Sequence, residues 1–470
     1  MEIPCSRDST REKQMEEESR LKPSPIPSAL DLQSPDQKLD AGALFVLESK
    51  GSWVHCGYHL TTAIVGPALL SLPIALASLG WVWGVLWLII EALVTFYSYN
   101  LLSLVLEHHA KQGLRLLRFR EMAEHILGPR WGRFYVGPIQ FAVCYGAAVG
   151  CTLLGGQCMK SIYLLSTPNG SIKLYEFIII SGLMTLILAQ IPSFHTLRHI
   201  NLVSLILALA FSACATAGAI HIGISSKALH KDYSISSDGV NRLFGVSSAI
   251  AIIATAYGNG IVPEIQATLA PPVKGKMFKG LCICYTVVIV TFFSVGISGY
   301  WAFGNQAAGI ILSNFLIGGK PLLPKWFLMM TYVFTLLQVL AVGVIYLQPL
   351  NEVLEGKFAD PKREKFSTRN VVPRLVFRSL AVVTATAIAA MLPFFGDINA
   401  VIGAFGIMPL DFILPMIFYN MTFKPSKRSL LFWGNTIIAV IFSVLAVIAA
   451  VSTVRQIALD AKTYRLFANV

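Results

Sequence analysis

Eleven stretches of this chain are long and apolar enough to cross a bilayer, and they limit its fold more than any other feature. They cover roughly 53–78, 81–106, 134–160, 174–191, 197–223, 244–267, 279–303, 324–347, 373–393, 397–419 and 430–454. A helix needs about 20 apolar residues to traverse the hydrocarbon core. Backbone polar groups have no water there, so repeated spans of this length imply helices. Only 13% of the residues are charged, against about 25% in soluble domains. The expectation is an all-α polytopic membrane protein with eleven transmembrane helices. The formal net charge of +12 then belongs to basic loops. No zinc spacing, Walker loop or basic recognition helix suggests a nucleic-acid partner. No HExxH pair or GxSxG elbow suggests an enzyme.

Residues 1–45 read as a disordered polar tail, with REKQMEEESR charge-rich and KPSPIPS rich in Pro and Ser. The membrane domain is expected over 46–456, and 457–470 as a short C-terminal tail. Basic residues cluster after span two (Lys111, Arg115, Arg118, Arg120, Arg130, Arg133). Further clusters follow span six (Lys274, Lys276, Lys279), span eight (Lys357 to Arg374) and span ten (Lys424, Lys427, Arg428). The positive-inside rule then puts the N-terminus in the cytoplasm and the C-terminus outside. Asn169-Gly170-Ser171 is a glycosylation acceptor on the outer side. FREMAEHILG, 119–128, is amphipathic and is expected to lie along the inner face. The eight cysteines form no outside pair, so no disulfide framework is expected. Cys144, Cys151 and Cys158 share a helix face that reads as close packing.

Span one is interrupted. Val65-Gly66-Pro67 sits at its middle and Pro73 follows. Proline has no amide hydrogen and clashes with the preceding turn, so it frees backbone groups. Alone, this is a packing kink or a binding site. Span six carries a matching interruption, Gly258-Asn259-Gly260 followed by Pro263. Two broken helices five spans apart point to an inverted-repeat transporter with a midplane site, spans 1–5 repeating as 6–10. Half-helix N-termini attract anions, and exposed carbonyls attract cations. The amides of Gly66 and Ala68 are candidates for a carboxylate. The carbonyls near Ile64, Val65, Ala256 and Tyr257 are candidates for an ammonium, with Tyr257, Gly258 and Asn259 at the same depth. Tyr145 in span three and Gln338 in span eight are candidates for a central cavity.

Ionisable residues within spans are functional candidates by default. Glu264 follows the span-six break and is the first candidate for cycling a proton; the other reading is a glutamate paired with a nearby lysine. Glu91, Asp411 and His59 are further candidates, each with a structural alternative. No metal site or cofactor is expected, and a proton gradient is the expected driving force. The partners are a small amino acid, protons and membrane lipid.

The run HLTTAIVGPALLSLPIALASLGWVWG, with AYGNGIVPEIQATL and INAVIGAFGIMPLDFILPMIFY, resembles spans one, six and ten of the amino acid/auxin permease family. Within it the chain looks most like the plant GABA transporter group. The resemblance implies a LeuT-type 5+5 inverted repeat with helices 1 and 6 broken. It also implies plasma-membrane residence and proton-coupled symport of GABA and related zwitterionic amino acids. It places substrate at Val65, Gly66, Ala68, Tyr257, Gly258 and Asn259. Some proton-coupled relatives of this fold carry a lysine in span five, whereas NLVSLILALAFSACATAGAI has none. Alternatives are a carrier of other neutral or basic amino acids or of auxin, an amino-acid-sensing receptor, and a channel.

Overall fold

The computed structural model describes residues 51–463 apart from 168–169, 191–197, 226–230, 235–238, 271–272, 318–319, 361 and 365. The N-terminal tail and Asn169 lie outside the described residues. Span one is α1 (Trp53–Ile64) and α2 (Leu72–Leu79), joined through a 3-10 turn, Pro67–Ser71. Span two is α3 (Trp81–Lys111), followed by the short α4 (Phe119–Leu127). Spans three to five are α5 (Gly137–Ser166), α6 (Leu174–Leu188) and α7 (Arg198–Ile224). Span six is α8 (Gly239–Tyr257) and α9 (Val262–Ala267). Spans seven to nine are α10 (Lys276–Phe303), α11 (Lys325–Phe358) and α12 (Thr368–Met391). Span ten is α13 (Phe395–Ile402), a π-helical stretch Gly403–Ile413, and α14 (Leu414–Phe423). Span eleven, α15, runs Leu430–Thr463 and so continues past residue 456 into the expected tail.

Among the described residues ten helices have the length and apolarity to cross a membrane, and Leu174–Leu188 is an eleventh, shorter apolar helix. The broken helices occupy the centre. The most apolar window of span one is 83% buried and those of spans six and ten 78%, against 28% for span eleven and 22% for span nine. Span eleven accordingly turns Val440, Val444, Val447 and Val451 outward, as a lipid-facing helix does. α11 packs along α5, and α6 and α12 complete that group. α1 packs on α10, and α2 on α8 and α10.

The loops after spans two, six, eight and ten meet at one end of the bundle. Glu107 Oε1 accepts from the Gly275 amide at 3.1 Å, Arg118 pairs with Glu352 at 2.5 Å, and the His108 ring lies 4.9 Å from Phe423. The basic clusters therefore share one face. The amphipathic α4 buries Phe119, Met122 and Ala123 there, with Phe119 against Phe418. Deeper in, Glu355 takes a two-pronged bond from Arg374 at 2.9 and 2.9 Å and one from Arg378 at 2.5 Å. Arg378 also donates to the Ala189 carbonyl at 2.9 Å, tying α11, α12 and the end of α6 together.

Candidate functional site

Pro67 sets the first break. It excludes the helical conformation for the residue before it, and Gly66 is extended, at φ −94° and ψ −175°. Val65, at φ −78° and ψ 60°, makes an inverse γ-turn in which the Gly66 amide donates to the Ile64 carbonyl at 2.7 Å. The chain then re-enters a helical path with Pro67 first, where no amide hydrogen is needed. Two carbonyls freed by the break are claimed by α11. Gln338 donates to Val65 O at 3.3 Å, and Tyr346 donates to Ala63 O at 3.1 Å. Ser204 of α7 donates to Gln338 Oε1 at 2.8 Å, fixing that amide's orientation.

The second break turns on two glycines. Gly260 has φ +65°, a left-handed conformation that glycine adopts without strain. Gly258 lies against Ile407 with no room for a Cβ. The break exposes amides rather than carbonyls, and a carboxylate from span ten fills them. Asp411 Oδ2 accepts from Asn259 N at 2.7 Å and from Gly260 N at 3.0 Å. Tyr99 of α3 donates to the same oxygen at 3.1 Å and to the Tyr257 carbonyl at 3.1 Å. Ser98 donates to the Asp411 carbonyl. The π-helical stretch carries this acid; its wider turns occur often at functional positions.

Glu264, 2% exposed, pairs with no lysine among the described residues. Its Oε1 accepts from Gln140 Nε2 of α5 at 2.7 Å and from the Phe119 amide at the start of α4 at 2.9 Å. Its Oε2 is buried without a hydrogen-bond partner. Glu91, wholly buried in α3, accepts from Trp87 Nε1 at 3.0 Å, and its other oxygen also lacks a partner. His59 is buried on α1.

A cavity of about 50 Å³ lies between the breaks. Of the candidate residues, Ile64, Gly66, Ala68 and Gly258 line it. Val65, Ala256, Tyr257 and Asn259 do not line it. The Tyr257 hydroxyl and Asn259 Nδ2 are buried without hydrogen-bond partners. Two expectations need correction. Gln338 is wholly buried and braces Val65 rather than facing the cavity. Tyr145 points away, bonding Thr384 of α12 at 2.7 Å and lining an apolar groove on the outside of the bundle. The helical register carries these two side chains to other faces, which an apolar run does not reveal. The cavity also takes in Thr255, Tyr346, Asn399 and Cys151, which sequence reasoning did not select. Tyr346 and Asn399 interrupt apolar stretches of spans eight and ten, and that signal was available. The described part of the lining carries no charged side chain. No group of three His, Cys, Asp or Glu residues stands close enough to hold a metal among the described residues.

Two broken helices facing one small buried cavity, braced by helices from both halves of the chain, define a membrane carrier rather than an enzyme. The architecture matches a solved sialic acid symporter described as Na+-coupled and outward-open. The TM-score is 0.51 at 11% identity, covering 92% of this chain and 94% of the other. This is the LeuT-type fold. Residues 49–458 match the family described as transmembrane amino acid transporter protein, and the chain belongs to that family. It is 61% identical to GABA transporter 1 of Arabidopsis thaliana, over 93% of this chain and 97% of the relative. It is 29% identical to Lysine histidine transporter-like 1 of the same plant, over 95% and 98%. The chain is a multi-pass membrane transporter of amino acids.

Proposed function

We propose that the chain is a proton-coupled symporter carrying GABA and related zwitterionic amino acids across the plasma membrane, with its N-terminus in the cytoplasm. The observation that carries the substrate class is the lining of the cavity between the breaks. Its polar groups are backbone, hydroxyl, thiol and amide, with no carboxylate among the described residues to neutralise a second ammonium. That favours a molecule with no net charge over a basic amino acid. The likeness to a relative named for GABA supports the same choice. The substrate carboxylate goes to the amides after the first break, at Gly66 and Ala68. Its ammonium turns toward the Ile64 carbonyl and the hydroxyls of Thr255 and Tyr346. The Gly66 amide is engaged by Ile64 in this conformation, so binding opens that turn. A cavity this small also requires the half-helices to part before substrate enters.

Proton coupling is favoured by the bracing of the first break. The carbonyls of Ala63 and Val65, which a bound cation would use, receive hydrogen bonds from Tyr346 and Gln338. Glu264 is the proposed proton carrier because one of its oxygens is buried and open; Glu91, Asp411 and His59 are the other candidates. The gathering of the basic loops at one end supports a cytoplasmic assignment for that end, where Gly51 pairs with Thr268. Uptake of labelled GABA into proteoliposomes, under an imposed pH gradient and separately under a sodium gradient, tests the reading. Uptake should rise as the outside is acidified at fixed internal pH. Uptake that follows sodium and ignores pH would overturn the coupling. Competition by lysine stronger than that by GABA would overturn the substrate class.

A further inference from the structure

The two hydrogens of one side-chain amide bridge the second break and its buried acid. Gln140 Nε2 donates to the Gly260 carbonyl at 3.0 Å and to Glu264 Oε1 at 2.7 Å. Gln140 is 7% exposed and belongs to α5, which packs against α11 and lines the cavity between the breaks. On its other side the Gly260 peptide is held by Asp411 through its amide. The left-handed glycine of the break is thus gripped through both its amide and its carbonyl, and one grip is shared with Glu264.

We propose that Gln140 is a positioning residue that transmits the proton state of Glu264 to the span-six break. The inference rests on Glu264 as the proton site. An ionised carboxylate makes hydrogen bonds roughly twice as strong as a neutral group does. Ionised Glu264 therefore draws in Gln140 and the Phe119 amide, and Gln140 holds Gly260 against α5. A proton on the open Oε2 leaves Oε1 a neutral acceptor. The grip on Gln140 and Phe119 slackens, and α9 is free to shift relative to α4 and α5. The proton is taken from and returned to water, and no other bond is made or broken. The surroundings leave this to Glu264. Glu352 of α11 is the acid in its electrostatic reach, and it is paired with Arg118 at 2.5 Å and Arg120 at 3.5 Å. Cys144 of α5 is within electrostatic reach of both Glu264 and Asp411. Arg115 caps the end of α9 through the Ala267 and Leu269 carbonyls. Glu121 is bound to Arg118, Tyr99 of α3 to Asp411, and α1 beside α9 carries His59.

The test compares Gln140→Met and Glu264→Gln with the full-length wild type in proteoliposomes. Methionine has nearly the same length and no donor. Gln140→Met should slow pH-driven GABA uptake about tenfold, the loss expected for one hydrogen bond to a charged group. It should flatten the pH profile and leave GABA counterflow, which needs no net proton movement, near the wild-type rate. If Glu264→Gln keeps the wild-type pH profile, the reading of Glu264 fails. If Glu264→Gln loses the profile and Gln140→Met keeps it, the role of Gln140 alone is overturned. A second measurement covers a variant that fails to fold. Hydrogen exchange across 258–264 of the wild type, corrected for intrinsic pH dependence, should show greater protection at high pH than at low pH. Equal protection overturns the proposal.

Discussion

The carboxylate of Asp411 lies 2.7 Å from the amide nitrogen of Asn259, although the two residues come from spans ten and six. The same oxygen takes the Gly260 amide at 3.0 Å. A pair of backbone donors at a helix break is a natural seat for an anion, and here a side chain occupies it. The seat in span six is therefore filled from within, and the proposed seat for a substrate carboxylate is the one in span one. The two breaks are alike in sequence but are satisfied in opposite ways: the first has its carbonyls bonded by α11, the second its amides by Asp411.

Asp411→Ala should destabilise the protein strongly. It strands two buried amides, each at about 1–3 kcal/mol. Asp411→Asn should cost less, because its remaining oxygen still accepts one of them while its new amide opposes the other. Melting of the purified proteins in detergent ranks the three. A wild-type melting temperature for Asp411→Ala would show that the seat is satisfied by something else.

Position 66 separates conformational from spatial demands. Gly66 does not need to be glycine for its backbone, since φ −94° is open to any residue. A Cβ there would lie 3.7 Å from Ala63 O and 3.8 Å from Val342 Cγ1, ordinary contact distances. Gly66→Ala should therefore keep GABA binding. Gly66→Leu must send its remaining carbons into the cavity of about 50 Å³, raising Kd by about tenfold or more. Scintillation binding measures both. Equal affinity in the leucine variant would remove the span-one break from the site.

The breaks were legible in the sequence because proline and glycine act on their own backbone. Pro67 dictates the extended Gly66, and Pro263 falls in the first turn of α9, where it is tolerated. What fills each break was not legible, because the partners are distant in the chain: Asp411 reaches Gly260 across 151 residues and Gln338 reaches Val65 across 273. Gln338 and Tyr145 were polar residues in apolar spans, but their facing depends on helix rotation, and span ten departs from the α period through Gly403–Ile413. Glu264 was visible as a buried acid; that its partners are Gln140 and a loop amide rather than a lysine depends on how α4 folds back over the end of the bundle.

Glu355 predicts a large effect far from substrate. It is 3% exposed and carries Arg374 and Arg378, themselves 7% and 2% exposed. Removing one partner from a buried ion pair costs about 3–5 kcal/mol, because the other charge is left uncompensated. Glu355→Ala should lower the detergent melting temperature more than Arg363→Ala, whose partner Asp360 is exposed at the surface. Similar shifts in the two variants would mean that the buried arginines find other partners.

Gln338 and Tyr346 hold the same break from the same helix, so their effects should not add. Gln338 bonds Val65 O, and Tyr346 bonds Ala63 O two residues earlier. Losing either lets the γ-turn at Val65 relax, and the second bond then has less left to hold. A cycle of Gln338→Leu, Tyr346→Phe and the double variant should give a coupling energy of about 0.5–3 kcal/mol, the range for residues sharing one network. The double variant should therefore be less destabilised than the sum of the singles. GABA binding should separate them further. Tyr346 lines the cavity and Gln338 does not, so Tyr346→Phe should weaken affinity by more than its effect on melting accounts for. Strict additivity in the cycle would mean that the two carbonyls are braced independently, and that the first break is not held as one unit.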